Sequence, residues 1–359
     1  MHLDLHIGTE KTGTTSIQKF LYLNRSTLLS AGILVPQSLG KYNHRVLSAI
    51  SNDDDVFDDF YRSKQLTTPY QRSMAKQRWL GEFINEIENS DAEKCIISSE
   101  HLQSRLRHPK EIQRLYKLLH PKFSSIHIIL YIRRPILTAI SLYSTSIKCG
   151  SLASKIPSPD NPYYRHVVDH ANTIKMWEHS FPNSDFSVRI FEKESLASGN
   201  VIDDFIMQCK LPDLFYDRPG VVNKSLSYLG LELLRRVNKS IPRYLQDGAV
   251  CPARSGLVEF FEENFTAGQS LVPSKELIDS YDYELAVSDE WVRNQFFPER
   301  DSLFKPYFVD KDPSQSLDDA TMDELAAAFV ELWRLHLGTR NNKKTTLSVK
   351  SLLRFFKWS

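Results

Sequence analysis

Residues 6–18 are the segment that most constrains the fold of this chain. Leu3, Leu5 and Ile7 alternate with polar residues, which predicts a β-strand that leads into the segment. Two glycines, a lysine and several hydroxyl side chains follow, and apolar residues then recur at helical spacing, at positions 17, 20, 21 and 28. A strand, a Gly-rich turn and a helix N-terminus direct unpaired N–H groups and the positive end of the helix dipole at one place. The segment therefore predicts a binding site for a phosphate or sulfate ester.

The loop differs from the P-loop of proteins that bind ATP or GTP. That motif is G-x-x-x-x-G-K-[ST], in which the lysine follows the second glycine. Here Gly8 and Gly13 have the same separation, but Thr14 stands at the lysine position and Lys11 lies inside the loop. The sequence therefore favours a different phosphate-bearing donor.

A second candidate anion site follows the most apolar strand pattern in the chain, residues 125–132. Arg133 comes directly after this strand, and Pro135 suits the first turn of a helix. Ser141 lies on that helix, eight residues after Arg133. An arginine at the carboxyl end of a strand can bind a phosphate through two parallel hydrogen bonds.

These two motifs together resemble sulfotransferases that use 3′-phosphoadenosine 5′-phosphosulfate (PAPS), and their style resembles bacterial, carbohydrate-type members. The resemblance implies in-line transfer of a sulfuryl group to an acceptor hydroxyl, of a carbohydrate or glycan or else of a small molecule. It also implies 3′,5′-adenosine bisphosphate (PAP) as product and no required metal ion. It implies that Arg133 and Ser141 bind the 3′-phosphate and that Lys11 is also catalytic, because it balances charge on the leaving oxygen. It further implies that the 5′-phosphosulfate is bound by Lys11, Thr12, Gly13, Thr14, Thr15 and Ser16.

Transfer to a hydroxyl also needs a base, and two candidates follow a short apolar strand pattern, residues 95–99. Related sulfotransferases place a glutamate or a histidine at such a strand end. Glu100 is the first candidate and His101 the second, although a surface ion pair or a packing contact would explain either residue. His44 and Arg45 follow another strand and are candidates for binding the acceptor, and a solvated loop is the alternative there.

Strand patterns alternate with helix patterns along the first two thirds of the chain, which predicts a P-loop-like, three-layer α/β domain with a central, mainly parallel sheet between helices. The predicted helices include residues 165–180 and residues 192–209. We expect a sulfotransferase domain at 1–308, with a mostly helical insertion at about 240–275. A helical C-terminal extension with a basic, amphipathic tail is expected at 309–359.

Composition narrows the partners and the compartment. The formal net charge is +1, which argues against a general nucleic-acid binder. The first strand pattern begins at the N-terminus, and no signal peptide or transmembrane pattern is found. We expect a cytoplasmic enzyme, peripheral to the inner membrane if the tail binds a membrane surface. The sequence does not indicate an oligomeric state.

Two other function classes are compatible with an anion-binding loop. One is a phosphotransferase with an atypical loop, although the displaced lysine and the lack of a clear Mg²⁺-binding aspartate argue against it. The other is a non-catalytic nucleotide-binding scaffold, against which the presence of Lys11, Glu100, Arg133 and Ser141 argues.

Overall fold

The structure is a computed structural model that describes residues 1–220, 225–307 and 318–341, with side chains described up to residue 337. Its strands are β1 (His2–Gly8), β2 (Ile33–Leu34), β3 (Lys94–Ser98), β4 (Ser125–Ile132) and β5 (Asp185–Ile190). Its helices are α1 (Thr14–Leu23), α2 (Arg25–Ser30), α3 (Arg45–Ser51), α4 (Asp59–Ser63), α5 (Pro69–Glu88), α6 (His101–Arg105), α7 (Pro109–Leu119), α8 (Pro135–Lys148), α9 (Pro162–Val168), α10 (His170–Ser180), α11 (Val201–Gln208), α12 (Tyr228–Ser240), α13 (Leu257–Asn264), α14 (Lys275–Phe296) and α15 (Asp319–Asn341). Within these ranges, none of the helices has both the length and the apolar character needed to cross a bilayer.

The strands of the described residues form one parallel sheet in the order β2-β3-β1-β4-β5. The chain forms β2 and β3 on one side of the central β1 and then crosses to form β4 and β5 on the other side. The carboxyl ends of β3, β1 and β4 therefore lie side by side, at the point where ligands bind in open α/β sheets. The predicted α/β fold with a parallel sheet between helices is confirmed.

The sheet lies between two apolar layers. Leu3, Leu5 and Ile7 point into a core that they share with α5, α7 and α10. On the opposite face of the sheet, Ile129 and Tyr131 of β4 pack against α1 and α11. Helices cover both faces, so the strands are buried on two sides, as is usual for a parallel sheet.

The chain divides into two compact units. The described residues of the first unit are 1–139, 157–220 and 276–307, and those of the second are 140–156, 225–275 and 318–341. The second unit has its own core, in which Phe261 of α13 and Phe329 of α15 meet with ring centroids 5.2 Å apart. The predicted helical C-terminal region is thus present. The boundary predicted near residue 308 and the tail at 343–359 lie outside the described residues and stay predictions.

The single helix predicted over residues 165–180 is wrong in its continuity, because Asp169 interrupts it. The backbone of Asp169 is not helical (φ −81°, ψ 84°), and its carboxylate accepts a hydrogen bond from the N–H of Asn172 at 3.2 Å. Asp169 therefore ends α9 and caps α10, which is a role that a short acidic side chain performs well.

The helix predicted over residues 192–209 is also shorter than expected. Two 3₁₀ turns occupy Lys193–Ser195 and Ala197–Gly199, and the second contains positive φ angles at Ser198 and Gly199. The side chain of Asn200 then accepts a hydrogen bond from Ile202 N at 2.8 Å and starts α11. Apolar spacing indicated the helix correctly but did not reveal this late start.

Candidate active site

The loop between β1 and α1 is fixed by hydrogen bonds to β4 and within itself. Thr9 N donates to Tyr131 O at 2.8 Å, and Thr12 Oγ1 donates to Thr9 O at 2.7 Å. Lys11 and Gly13 have positive φ angles of 69° and 79°. In the described structure, no side chain caps α1 and no acidic residue lies in its first turn. The first N–H groups of α1 and the positive end of its dipole are therefore not offset by a side-chain cap or an acidic residue, and the binding of an anion there stays a prediction.

Close packing of the loop against Phe191 and Val201 also favours glycine at position 13. An added Cβ would lie 3.0 Å from the ring of Phe191 and 3.0 Å from Val201 Cγ1. Both the positive φ angle and this close packing require glycine. Thr14 is buried and Thr15 and Ser16 are half-buried at the helix start, so the predicted donor-binding segment is a compact turn rather than an exposed loop.

Glu100 lies directly against the start of this loop. A Cβ added at Gly8 would be 3.2 Å from Glu100 Cα, so the backbones after β1 and β3 approach each other closely. Gln18 of α1 donates a hydrogen bond from Nε2 to Glu100 Oε2 at 2.5 Å. The structure therefore places Glu100 beside the loop between β1 and α1, and Gln18 fixes one of its carboxylate oxygens.

The charge state of Glu100 reflects this enclosed position. Burial raises the pKa of the carboxyl above its ordinary value, whereas the Gln18 hydrogen bond and the positive charge of Lys11 oppose that rise. Glu100 and Lys11 are thus close enough to influence each other electrostatically. A raised pKa makes the ionised carboxylate a stronger base, which suits a group that takes up a proton.

The pKa of His101 is shifted in the opposite direction to that of Glu100. Burial and the charges of Arg45 and Arg105 lower the pKa of His101 to about 3, so the ring is neutral at pH 7. Its Nε2 lies 3.4 Å from Arg45 Nη1 and 3.9 Å from Glu100 Oε1. Its Nδ1 is buried and has no hydrogen-bond partner among the described residues. An imidazole that has so little affinity for a proton is a weak base, so the arrangement suits Glu100 better for taking up a proton.

Arg133 reaches from the end of β4 to the loop between β1 and α1. Its Nη1 donates to Lys11 O at 3.2 Å, and its guanidinium lies 5.9 Å from the centroid of the Phe191 ring. His170 Nε2 donates to Arg133 O at 3.0 Å and holds the backbone. Burial lowers the pKa of Arg133, and no carboxylate binds this side chain within the described ranges. A half-buried guanidinium without a carboxylate is suited to bind an anion.

Ser141 lies on α8, two turns after Pro135, as the sequence predicted. The helix crosses the boundary between the two compact units, and Ser141 belongs to the second. The side chain is half-buried. Its role in binding a 3′-phosphate stays a prediction.

His44 and Arg45 lie at the start of α3, where they contact the end of β3 and α6. His44 Nδ1 accepts a hydrogen bond from Ser98 N at 3.0 Å, and only 1% of the residue is exposed. Burial lowers the pKa of His44 to about 3, with a further contribution from the charge of Arg25. The structure thus shows His44 as an enclosed residue that binds the backbone of β3, so its assignment to acceptor binding stays a prediction without support from its position.

Arg45, unlike His44, contacts one of the two candidate bases, His101. Its guanidinium binds Asp58 Oδ2 at 2.6 Å and Asp59 Oδ1 at 2.9 Å, in addition to its contact with His101. The Phe60 ring lies 5.2 Å from the Arg45 guanidinium carbon. Arg45 therefore lies in the wall of the site, where two carboxylates already compensate its charge.

Several residues of this site were not predicted from the sequence. Tyr163 of α9 donates from its hydroxyl to Glu10 Oε1 at 2.7 Å, which joins a distant helix to the loop. Arg105 and Arg107 place their guanidinium carbons 5.5 Å and 5.1 Å from the centroid of the Tyr163 ring. Arg105 could have been found, because it lies four residues after His101 and hence on the same side of α6. Tyr163 had no such signal, since only the tertiary fold brings it here.

The described residues contain one group that could hold a metal ion, and it lies away from this site. His2, Asp4 and His127 lie at the amino end of the sheet, with ligand atoms within 4.8 Å of one another. Asp4 Oδ1 contacts both histidines, at 3.2 Å and 2.9 Å, and Asp4 Oδ2 is 3.2 Å from Lys94 Nζ. The two histidines contact Oδ1 and the Lys94 charge lies beside Oδ2, so the charge of this carboxylate is already balanced, although Oδ2 has no hydrogen-bond partner among the described residues.

Comparisons with known proteins give limited likeness. No family model matches this sequence. An uncharacterized protein of Archaeoglobus fulgidus is 28% identical over 143 residues, which are 38% of this chain and 36% of that relative's length. A solved structure of a sulfotransferase from Alicyclobacillus acidocaldarius is 19% identical and has a TM-score of 0.40, and the match covers 61% of this chain and 85% of the other. At this level of likeness the chemistry must be inferred from the site itself.

Proposed function

We propose that this protein is a sulfotransferase that moves a sulfuryl group from PAPS to a hydroxyl group of a carbohydrate. The hydrogen bond from Arg133 Nη1 to Lys11 O carries the proposal, because it joins two anion-binding features in one site. One is the loop and helix start after β1, and the other is a half-buried guanidinium without a carboxylate partner. A donor with phosphate groups at both the 5′ and 3′ positions needs two such features, whereas ATP has no 3′-phosphate.

The residues around the loop supply the groups that sulfuryl transfer needs. Glu100 would accept the proton of the acceptor hydroxyl as the acceptor oxygen bonds to sulfur. Lys11 would balance the negative charge that develops on the oxygen between sulfur and the 5′-phosphorus when that bond breaks. The N–H groups at the start of α1 would hold the 5′-phosphate. Transfer of this kind depends mainly on positioning and charge stabilisation, so residues held on strand ends and a helix start suit it.

The donor half of the proposal is tested by calorimetry with PAP and with adenosine 5′-monophosphate, which lacks the 3′-phosphate, both in the presence of a chelator. We expect PAP to bind about 10- to 100-fold more tightly, as is typical when a charged hydrogen bond is gained. Arg133→Gln should remove this difference and leave the affinity for the monophosphate nearly unchanged.

Arg134 offers a matched control, because it follows Arg133 directly but is occupied elsewhere. Its side chain binds Asp282 Oδ2 at 2.6 Å and Lys305 O at 2.7 Å. Arg134→Gln, with folding checked by circular dichroism, should keep the preference for PAP. Tighter binding of ATP with Mg²⁺ than of PAP would instead support a phosphotransferase. A protein that binds PAP but neither hydrolyses PAPS nor sulfates any member of a glycan panel would support a scaffold.

A further inference from the structure

Arg105 is a half-buried cation whose hydrogen-bonding capacity is unused. Its Nε is buried and has no partner, and its guanidinium makes no hydrogen bond with the residues that the structure describes. The carboxylates of Glu10, Asp58 and Asp59 lie close enough to favour its charged form electrostatically, although burial opposes it. A buried N–H donor without an acceptor is costly, so an acceptor group that reached Arg105 Nε would stabilise this part of the site.

The Tyr163 ring fixes the position of this cation. The ring lies beside both Arg105 and Arg107, and the Tyr163 hydroxyl donates to Glu10. Helices α6 and α9 are further tied together by two hydrogen bonds: Gln103 Nε2 donates to His166 O at 3.0 Å, and His166 Nε2 donates to Gln103 O at 2.7 Å. The aromatic contact orients the arginines without occupying their N–H groups.

The cation lies on the same short helix as His101, which directly follows the candidate base Glu100. Arg105 is one turn from His101 on α6, and its charge helps to lower the pKa of His101. Through Tyr163 and Glu10 it is connected to the loop that also adjoins Glu100. Arg45, the other arginine that acts on His101, is already paired with two aspartates. Arg105 therefore differs from Arg45 in that its buried Nε has no hydrogen-bond acceptor among the described residues.

We propose that the acceptor carries an anionic group close to the hydroxyl that is sulfated, and that Arg105, supported by Arg107 and Tyr163, binds this group. The inference rests on the proposed sulfotransferase function and specifies its substrate class: a hydroxylated sugar that bears a carboxylate, phosphate ester or sulfate ester. The planar fork of a guanidinium matches each of these groups with two parallel hydrogen bonds.

Matched acceptors test the proposal with the PAP-loaded protein. Binding is measured by titration calorimetry or ligand-observed NMR for methyl glucoside, methyl glucuronide, glucose 6-phosphate and glucose 6-sulfate. We expect at least one anionic sugar to bind about 10- to 100-fold more tightly than methyl glucoside. The member bound most tightly distinguishes a carboxylate from the two esters.

Substitutions then test which residue causes the preference for an anionic sugar. Arg105→Gln should abolish the preference for the anionic sugar, and Arg105→Lys should restore part of it, while PAP affinity stays within about 2-fold of the wild type. Arg78→Gln is the control, because Arg78 is exposed on α5 and pairs only loosely with Glu82 at 3.7 Å. Where turnover is measurable, Arg105→Gln should raise KM for the anionic acceptor and leave kcat nearly unchanged.

Three results would overturn the inference: equal binding of neutral and anionic sugars, an Arg105→Gln variant with undiminished preference, or a loss of PAP affinity in that variant. The last result would assign Arg105 to the donor site. Failure of the proposed function is separate, because it appears as absence of PAP binding by the wild-type protein. In that case the preference for an anionic sugar can still be measured without PAP and assigns Arg105 to a different ligand.

Discussion

Replacing Gly8 by alanine tests whether the loop after β1 holds Glu100 in position. Gly8 has a φ angle of 119°, and an added Cβ would lie 3.2 Å from Glu100 Cα and 3.4 Å from Glu100 Cβ. Gly32 provides the control, because its φ angle is 75° but nothing lies within 4 Å of an added Cβ. Both substitutions strain the backbone, and only Gly8→Ala also presses on the candidate base.

The structure allows the two effects to be estimated separately. An alanine at a positive φ angle costs about 1–3 kcal/mol of folding free energy, which applies to both variants. The added contact at Gly8 is shorter than the ~3.5–4.0 Å at which carbon atoms attract each other, so Glu100 must move by a few tenths of an ångström. Because a misplacement of 1 Å can reduce catalysis by about 10²-fold, we expect a smaller loss of kcat, roughly 10-fold, for Gly8→Ala alone.

The assay combines thermal unfolding, PAP calorimetry and turnover of PAPS with an acceptor. Both glycine variants should lose stability, with Gly8→Ala losing at least as much as Gly32→Ala, and Gly8→Ala should lose far more kcat than Gly32→Ala. Glu100→Gln should reduce kcat less in the Gly8→Ala background than in the wild type, because both changes act on the same group. Equal kcat losses for the two glycine variants, or additive effects of Gly8→Ala and Glu100→Gln, would refute the reasoning.

Two further predictions concern stability. Burial raises the pKa of Asp289 to about 7 from an unfolded value of 3.8, against the opposing charge of Arg134, so the folded state binds this proton more tightly. The stability that this proton provides is complete below the unfolded pKa and is lost as pH rises through 7. In urea unfolding between pH 5 and 8, Asp289→Asn should therefore become more stable than the wild type by a few kcal/mol, on the order of the linkage energy. A stability difference that does not change with pH would contradict this. Gly81 of α5 has no atom within 4 Å of an added Cβ, whereas Gly230 of α12 would place one 2.6 Å from Phe265 Cβ. We expect Gly81→Ala to stabilise the protein by about 1 kcal/mol and Gly230→Ala to destabilise it by about 1–3 kcal/mol in thermal unfolding, and the reverse order would show that these contacts are misjudged.

The sequence was most informative where backbone conformation determines the structure. Alternation at Leu3, Leu5 and Ile7 predicted β1 and its buried face, and the glycines predicted the turn that leads into α1. Arg133 was placed correctly at the end of β4 because an apolar strand and a proline bracket it. These signals are local, so a single stretch of chain contains all the information they need.

The sequence was less informative where side chains from separate elements meet. His44 was predicted to touch the acceptor, yet it is enclosed against Ser98, because the pairing of β3 with the start of α3 is a tertiary contact. The ordinary pKa of histidine made His101 a reasonable base, and its burial beside Arg45 reversed that advantage. Gln18 could not be linked to Glu100, which is 82 residues away in sequence.

The same division separates the two halves of the proposed site. Its donor half consists of backbone groups and strand-end residues, whose positions depend on glycine conformations and on strand order. Its acceptor half consists of side chains on the short helices α3, α6 and α9, and on the aromatic contact at Tyr163. Substitutions on those helices can alter the charge that faces the acceptor without changing the backbone that would hold the donor. Acceptor preference is therefore the property that we expect to change most readily in this fold, and Arg105 is the position at which to change it first.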